Sequence, residues 1–281
     1  MTKKPRQADV SLADLRRELD RIDAAMHALL IERGTIIDQL IETKKTQETG
    51  SAFRPAREAD MMRRLVERHH GNLPLDTVEG IWRVIITTFT YVQAPFSVHA
   101  DLSAGDAAMR DSARFHFGFT APFVPHMGAS SVVEAVTASR GDLGLVPAFA
   151  AAGAGPWWAA LEPERAPKII ARLPFVERAD HPAALPVFVV SRAAPDAMVT
   201  ETEAWSLLVS GWRAAAATAL SALGDVIAVP DRALDGAALL ACVPSGGVEA
   251  VTKTLRGSGA SIRSAALVGS HATRYTVAHK R

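Results

Sequence analysis

Two basic residues near the N-terminus, Arg33 and Lys44, are spaced so that they share one face of a helix. Eleven residues at 100° each bring the second cation to within about 20° of the first, three turns further on. The face is otherwise apolar, and an inward cation is costly unless it meets an anion. With no matching inward acid on that helix, the pair predicts a site for a molecule with several negative charges. The ordinary alternatives are an ion pair between Arg33 and a nearby acid, and a solvated Lys44 near a helix end.

The helix that carries both cations is predicted from a heptad seam. Ser11 is a suitable N-cap, with Asp14 three residues on. The seam steps alternately by three and four residues through Leu12, Leu15, Leu19, Ile22, Met26, Leu29, Ile36 and Leu40. Arg33 occupies the seam position between Leu29 and Ile36. The pattern continues to about Lys45, which predicts a rod of roughly 50 Å. A small domain cannot bury one face of such a rod, so we expect another long helix, from a second copy of the chain, to cover it.

Two shorter helices are expected to follow. The second begins near Pro55, a favourable first-turn residue, and stops before Gly71. The third runs over residues 75–92. Glu58 lies in the first turn of the second helix, and Gln93 lies where the apolar stripe of the third helix ends. Taken alone, Gln93 is typical of a surface residue at a helix terminus.

In order and spacing, these segments resemble the all-helical chorismate mutase family over residues 11 to about 95. The segments are LRRELDRID, then Arg33 and Lys44, then RPAREAD, then IWRVII with Gln93. The resemblance implies an all-α, three-helix domain that forms an intertwined dimer, with active sites built from both chains. Positions that match the family's substrate-binding residues are Arg16, Arg33, Lys44, Glu58 and Gln93.

The chemistry implied by the resemblance needs only fixed charges and hydrogen-bond donors. Chorismate rearranges to prephenate in one pericyclic step, without a nucleophile, cofactor or metal. The two substrate carboxylates are assigned to Arg16 and Arg33, because the planar guanidinium binds both carboxylate oxygens. Lys44 and Gln93 are assigned to the ether oxygen, where negative charge develops. Arg16 and Arg33 lie seventeen residues, or about 100°, apart around the helix, which fits a first arginine that reaches into the partner's site.

The sequence departs from the family pattern at three polar positions. Met61 and Met62 stand where the family carries an Arg-Glu pair, and Phe89 stands where it carries a serine. The cationic half of the site is therefore present and part of its polar rim is missing. Three alternatives stay open: a weakened homologue that binds chorismate or an amino acid for regulation, an isochorismate pyruvate lyase-like enzyme, and a purely structural dimerisation module.

The composition of the chain indicates which kinds of partner and which cellular compartment to expect. The chain has 281 residues, 48% of them hydrophobic, enough for two domains. With 31 basic and 30 acidic residues the net charge is +1, which favours neither nucleic acid nor an anionic membrane as partner. The single cysteine, Cys242, suits a reducing cytoplasm. No signal-type segment, membrane span or metal-ligand spacing is evident.

The remainder of the chain is predicted to form an α/β or α+β domain. Residues 1–95 are predicted as the helical domain, 96–110 as a linker and 111–281 as the second domain. The stretch around GDLGLVP faintly resembles the start of a prephenate dehydratase domain, but LPVFVVSR (185–192) lacks the Thr-Arg-Phe triplet of that activity. Residues 205–281 read strand, helix, strand, strand, helix, strand, which suits a ferredoxin-like or ACT-like unit and an amino-acid effector.

Overall fold

The computed structural model describes residues 11–44, 52–149, 155–192, 201–231 and 235–277. Residues 1–46 and 47–281 form two compact units. In the first unit the described residues form one helix, α1 (Leu12–Lys44), which confirms the predicted rod. A reciprocal capping box closes its first turn. The Ser11 Oγ accepts from the Asp14 backbone N–H at 3.1 Å, and the Ser11 N–H donates to the Asp14 carboxylate at 3.1 Å.

The second unit alternates helices with strands. Its helices are α2 (Pro55–Arg68), α3 (Leu75–Gln93), α4 (Asp106–Phe117), α5 (Ala129–Ala138), a 3-10 helix (Trp157–Leu161), α6 (Ala214–Ser221) and α7 (Val248–Gly257). Its strands are β1 (Val98–Asp101), β2 (Phe123–His126), β3 (Leu143–Pro147), β4 (Lys168–Leu173), β5 (Val176–Glu177), β6 (Val187–Ser191), β7 (Thr202–Ser210), β8 (Asp225–Asp231), β9 (Gly236–Pro244), β10 (Ser261–His271) and β11 (Tyr275–Thr276).

Nine of these strands form one mixed sheet in the order β2-β1-β3-β6-β4-β10-β7-β9-β8. The first three strands are parallel, and β6 runs antiparallel to both of its neighbours. The last four run antiparallel to one another in the order β10-β7-β9-β8, with α6 and α7 as crossovers. That is the connectivity of a split β-α-β unit. The C-terminal part is therefore α/β, as predicted.

Helices α2 and α3 share a core with this sheet. Met62 and Ile86, from the two helices, belong to the same buried cluster as Val98 of β1, Leu145 of β3 and Val189 of β6. Each of these apolar helix faces is covered by the sheet and α4. The chain thus divides between residues 46 and 47, whereas the sequence predicted a helical domain over residues 1–95.

The segment 96–110, predicted as a linker, instead contains a buried strand. Strand β1 lies between β2 and β3, with Val98 and Ala100 almost inaccessible to solvent. The residues that flank β1 account for the linker prediction. Pro95 follows the end of α3, and Gly105, at φ 130°, precedes α4. A four-residue strand that is buried between two neighbours lacks the alternation of apolar and polar residues by which a strand is predicted.

A buried histidine at the end of β10 should make folding stability depend on pH. His271 is 3% exposed, and this burial lowers its pKa to about 4. The charges of Arg172 and Arg274 also lower the pKa, whereas the hydrogen bond to Ala272 opposes the shift. In the unfolded chain the same group titrates near 6.5. As the pH falls from about 6.5 to about 4, the unfolded state takes up a proton that the folded state does not, so stability is lost over that range.

We therefore expect wild type to lose about 2 kcal/mol more unfolding free energy than His271→Phe when the pH is lowered from about 7 to about 5. Urea denaturation at the two pH values measures this difference, and the variant corrects for every other titrating group. Parallel pH dependence of the two proteins would show that His271 is not held neutral by the fold.

Candidate active site

The three cations predicted for substrate lie on one uninterrupted helix. Arg16 is exposed in the second turn of α1, Arg33 is half-buried, and Lys44 is its last residue. The Lys44 side chain lies outside the described part of the structure. Regular helix geometry places Arg33 and Lys44 about 16 Å apart along the axis on one stripe, and Arg16 about 25 Å from Arg33 at a different angle. The helix therefore supports one shared face for Arg33 and Lys44, and a separate one for Arg16.

The seam beside these cations is an exposed apolar stripe. Side-chain exposure ranges from 40% at Ile22 to 64% at Leu12 and Leu29, and the stripe also includes Leu15, Leu19, Met26 and Ile36. Single exposed leucines are common on protein surfaces, but a continuous stripe along a helix of this length marks an interaction surface.

Glu58 lies in the first turn of α2, where a carboxylate is favoured by the helix dipole, but it is 5% exposed. Its Oε2 accepts a hydrogen bond of 2.7 Å from Nη1 of Arg83, a fully buried residue of α3. Burial raises the pKa of Glu58 above its ordinary value, while the Arg83 charge opposes that shift. The sequence predicted Glu58 as a substrate ligand, whereas in this structure its carboxylate holds α2 against α3.

Arg83 completes this junction and was missed by sequence reasoning. Its Nε and Nη2 donate to the backbone carbonyl of His116 at 3.2 and 2.9 Å, and the Thr87 hydroxyl donates to the same oxygen at 2.9 Å. One guanidinium therefore ties together α2, α3 and the end of α4. Glu58 and Arg83 are 25 residues apart on different helices, so no spacing rule could have paired them.

A second buried polar group contacts α3 one turn before Arg83, on the same face of the helix. His181 accepts at Nδ1 from the Ala183 N–H at 2.9 Å, so its Nε2 carries the proton and donates to Glu79 Oε1 at 3.2 Å. Arg178 lies 3.5 Å from the other oxygen of Glu79. The His181 ring stacks on His116 with centroids 5.9 Å apart. This arrangement pins the segment between β5 and β6 onto α3, and we assign it a structural role.

Gln93 and the three departures from the family pattern lie on α2 and α3. Gln93 is half-buried at the last position of α3, and its amide nitrogen donates to the Phe89 carbonyl at 3.0 Å. Met61 is half-buried, whereas Met62 is completely buried in the core shared with the sheet. Position 62 therefore has no route to a ligand in this fold, and a carboxylate there would lie in an apolar core.

No described helix is both long and apolar enough to cross a lipid bilayer. Across the described residues, no group of three or more His, Cys, Asp or Glu side chains is arranged to hold a metal ion.

Curated relatives resemble part of this chain. A bifunctional chorismate mutase/prephenate dehydratase of Neisseria gonorrhoeae is 31% identical over 113 residues, which are 40% of this chain and 30% of that protein. A protein of the same description from Aquifex aeolicus is 29% identical over 140 residues, 48% of this chain and 38% of the relative. The matched region thus spans less than two fifths of either relative.

Solved structures resemble the chain only distantly. Prephenate dehydratase from Streptococcus mutans aligns at a TM-score of 0.39 and 13% identity, over 65% of this chain and all of that one. A structure described as GqqA, a novel type of quorum quenching acylase, aligns at 0.41 and 13% identity, over 63% and 95% of the two chains. Such scores are too low to support an argument about function.

The family comparison is more specific than these alignments. Residues 15–94 match the family described as chorismate mutase type II. The matched range begins one residue before Arg16 and ends one residue after Gln93, so it contains every site residue predicted from the sequence. The N-terminal part of the chain, residues 15–94, is therefore similar to the chorismate mutase type II family.

Proposed function

We propose that the chain is an isomerase that rearranges chorismate to prephenate, in the biosynthesis of aromatic amino acids. The observation that carries this proposal is the family match over residues 15–94, which encloses the cations of α1. The two similar curated proteins are both described as bifunctional chorismate mutase/prephenate dehydratase, which supports the same reaction. No step of it requires a cofactor.

In the proposed mechanism the protein holds charge where the transition state develops it. Arg33 binds one substrate carboxylate through its guanidinium fork, and Arg16 of a second copy binds the other. Lys44 and Gln93 donate to the ether oxygen as its bond to carbon breaks. Holding the substrate in its compact reactive conformation contributes a further part of the rate.

The seam of α1 supports a homodimer. Its apolar residues are exposed at six successive heptad positions before Arg33 and at Ile36 after it. Burying such a stripe against an equal one follows the rules of helix bundles. A second copy also brings its own Arg16, which the geometry of one helix keeps away from Arg33. A dimer therefore completes both the core and the site.

Replacing Leu19 by Asp should shift the chain from dimer to monomer. A carboxylate at the middle of the seam would lose its hydration on dimerisation, so we expect the dimer dissociation constant to rise by at least about a hundredfold. Sedimentation analysis measures the change. Ala24→Asp, which puts the same charge on the opposite face of α1, is the control. If Leu19→Asp stays as dimeric as Ala24→Asp, the seam is not the interface.

One observation favours a second candidate, a weakened homologue that binds chorismate without efficient turnover. Met62 occupies a position that the family pattern gives to glutamate, and the fold buries it completely. The substrate hydroxyl thus loses one expected partner. The cations of α1 still favour binding of a dicarboxylate in either case.

Product identification tests the proposed function against both rivals. Purified protein is incubated with chorismate and, separately, with isochorismate, and products are resolved by chromatography. Prephenate from chorismate supports the mutase. Pyruvate released from isochorismate would instead indicate the lyase-type elimination. Saturable chorismate binding by calorimetry with no product from either substrate would indicate the regulatory homologue.

We further propose that the protein acts in the cytoplasm and responds to an aromatic amino acid. The buried, unpaired Cys242 suits a reducing compartment. The β7–β10 segment has the split β-α-β order, which is common in amino-acid-binding regulatory units. A change in the chorismate rate on addition of phenylalanine or tyrosine would support the regulatory part of this proposal, and an unchanged rate would contradict it.

A further inference from the structure

A cavity of about 440 Å³ lies within the second unit. It forms where β4 and β5 meet the end of β10, the C-terminal end of α6 and the start of β8. Residues that line it from these elements include Arg172, His271, Arg274, Ala222 and Asp225. None of them belongs to the proposed chorismate site.

Arg172 lines the cavity and has one buried hydrogen-bond donor without a partner among the described residues. The Arg172 side chain is 9% exposed, and its Nη1 pairs with Asp225. Its guanidinium also lies 5.7 Å from the centre of the Phe188 ring. The Nε–H of Arg172 is buried and has no hydrogen-bond partner among the described residues. Arginine is always charged, so this unused donor favours an anion.

His271, which also lines the cavity, has one buried acceptor. The Nδ1 of His271 lies 2.9 Å from the Ala272 carbonyl, so Nδ1 must carry the proton and donate. The pKa of about 4 keeps the ring neutral at neutral pH, which leaves a free lone pair on Nε2. That atom is buried and finds no partner in the part of the chain that the structure describes.

The charges around the cavity leave room for a further carboxylate. Arg172 pairs with Asp225, and Arg274 pairs with Glu177 at 2.9 Å. The two acids are 60% and 45% exposed, whereas the arginines are 9% and 16% exposed. Water therefore screens the acids far more than the arginines, so the field inside the cavity is set mainly by the two guanidinium groups.

The remaining wall is partly apolar. Leu223, Cys242 and Pro244 line it, together with the hydroxyl groups of Thr202 and Thr273. Burial raises the pKa of the Cys242 thiol to about 12, so it packs as an apolar group and is not a nucleophile. The wall thus fits a hydrocarbon body of roughly ring size.

Leaving a buried donor and a buried acceptor unsatisfied is costly and rare in folded proteins. We propose that this cavity binds a small hydroxycarboxylic acid, whose carboxylate accepts from the Arg172 Nε–H and whose hydroxyl donates to His271 Nε2. The ordinary alternative is a crevice closed by two ion pairs and filled by water. Bound water could satisfy the same two atoms. A crevice that only holds water, however, would not bind a hydroxycarboxylate more tightly than the matching carboxylate without the hydroxyl.

Two probes that differ only in the hydroxyl test the proposal, namely mandelate and phenylacetate, each titrated calorimetrically into the full chain. We expect mandelate to bind with a dissociation constant of about 4 mM or lower. Phenylacetate should bind about tenfold more weakly, the usual effect of one lost hydrogen bond. Equal affinities, or no binding of mandelate in that range, would overturn the proposal.

Variants place the binding in this cavity. His271→Phe should weaken mandelate to the level of phenylacetate and leave phenylacetate unchanged. Ala222→Phe fills the cavity without removing a polar group, and should weaken mandelate at least about tenfold. Ala217→Phe, exposed on the same helix and outside the lining, is its control and should bind as wild type. Unchanged binding in Ala222→Phe, or loss of binding in Arg33→Ala, would put the ligand elsewhere and contradict the proposal, whatever the chorismate assay shows.

Discussion

Replacing Arg33 or Lys44 by alanine is expected to lower kcat/KM for chorismate by about 10²-fold or more. The chemical step needs no proton transfer or covalent intermediate, so fixed charge and position supply most of the rate enhancement. Losing one preorganised donor to a developing anion typically costs 10² to 10³ in rate, or about 3–4 kcal/mol. We expect Lys44→Ala to act mainly on kcat, because its charge faces the ether oxygen, and Arg33→Ala to raise KM as well.

Initial rates of chorismate loss with prephenate quantified give both constants. Arg21→Ala is the matched control, because Arg21 lies on the same helix, is exposed and pairs with Glu18 at 2.6 Å. Its rate should stay within about twofold of wild type, since exposed ion pairs contribute little. If all three variants lose activity equally, the effect reflects damage to α1. If Arg33→Ala and Lys44→Ala retain wild-type kcat/KM, the proposed site is wrong.

Arg83→Met should lower the free energy of unfolding by about 3–5 kcal/mol. The variant removes one partner of a buried ion pair and leaves the Glu58 carboxylate without compensation. It also removes two of the three hydrogen bonds that the His116 carbonyl accepts, and leaves the one from Thr87. A loss of this size is a large fraction of the total stability of a typical domain.

Urea denaturation followed by circular dichroism measures the loss. Arg64→Ala is the control, because the Arg64–Asp60 pair on α2 is about half exposed and should contribute less than about 1 kcal/mol. Glu58→Gln keeps an acceptor for Arg83 and should be less damaging than Arg83→Met, which gives a measurable variant even if the latter fails to fold. Equal stability of Arg83→Met and Arg64→Ala would show that the buried pair does not hold α2 to α3.

Local sequence patterns were sufficient for the elements that depend on local physics. The seam, the N-cap at Ser11 and the break before Pro55 predict α1 and the start of α2, and the structure has both. Along 205–281 the predicted alternation of strands and helices agrees with the observed elements. In these segments the hydrophobic period, the caps and the turns all indicate the same structure.

Contacts between residues far apart in the sequence could not be predicted from local patterns. The Glu58–Arg83 pair joins residues of two helices, and β1 pairs with strands that follow it by more than twenty residues. Neither leaves a periodic trace in the sequence. The predicted boundary at residue 95 rested on the family resemblance, whereas the packing of α2 and α3 on the sheet depends on which apolar faces find each other. The unused Nε of Arg172 and Nε2 of His271 likewise follow from three-dimensional packing alone.

Mixing two inactive variants tests the central claim most directly, namely that chorismate is rearranged at sites shared between two copies of the chain. Arg16→Ala and Lys44→Ala are each expected to be nearly inactive, because every site in either homodimer lacks one cation. In a mixed dimer one site combines the intact Lys44 of one copy with the intact Arg16 of the other. Random exchange of equal amounts makes half of the dimers mixed, so prephenate formation should recover to about a quarter of the wild-type rate. Recovery to that level is the result we predict, and a mixture no more active than the mean of the two separate variants would contradict the shared site.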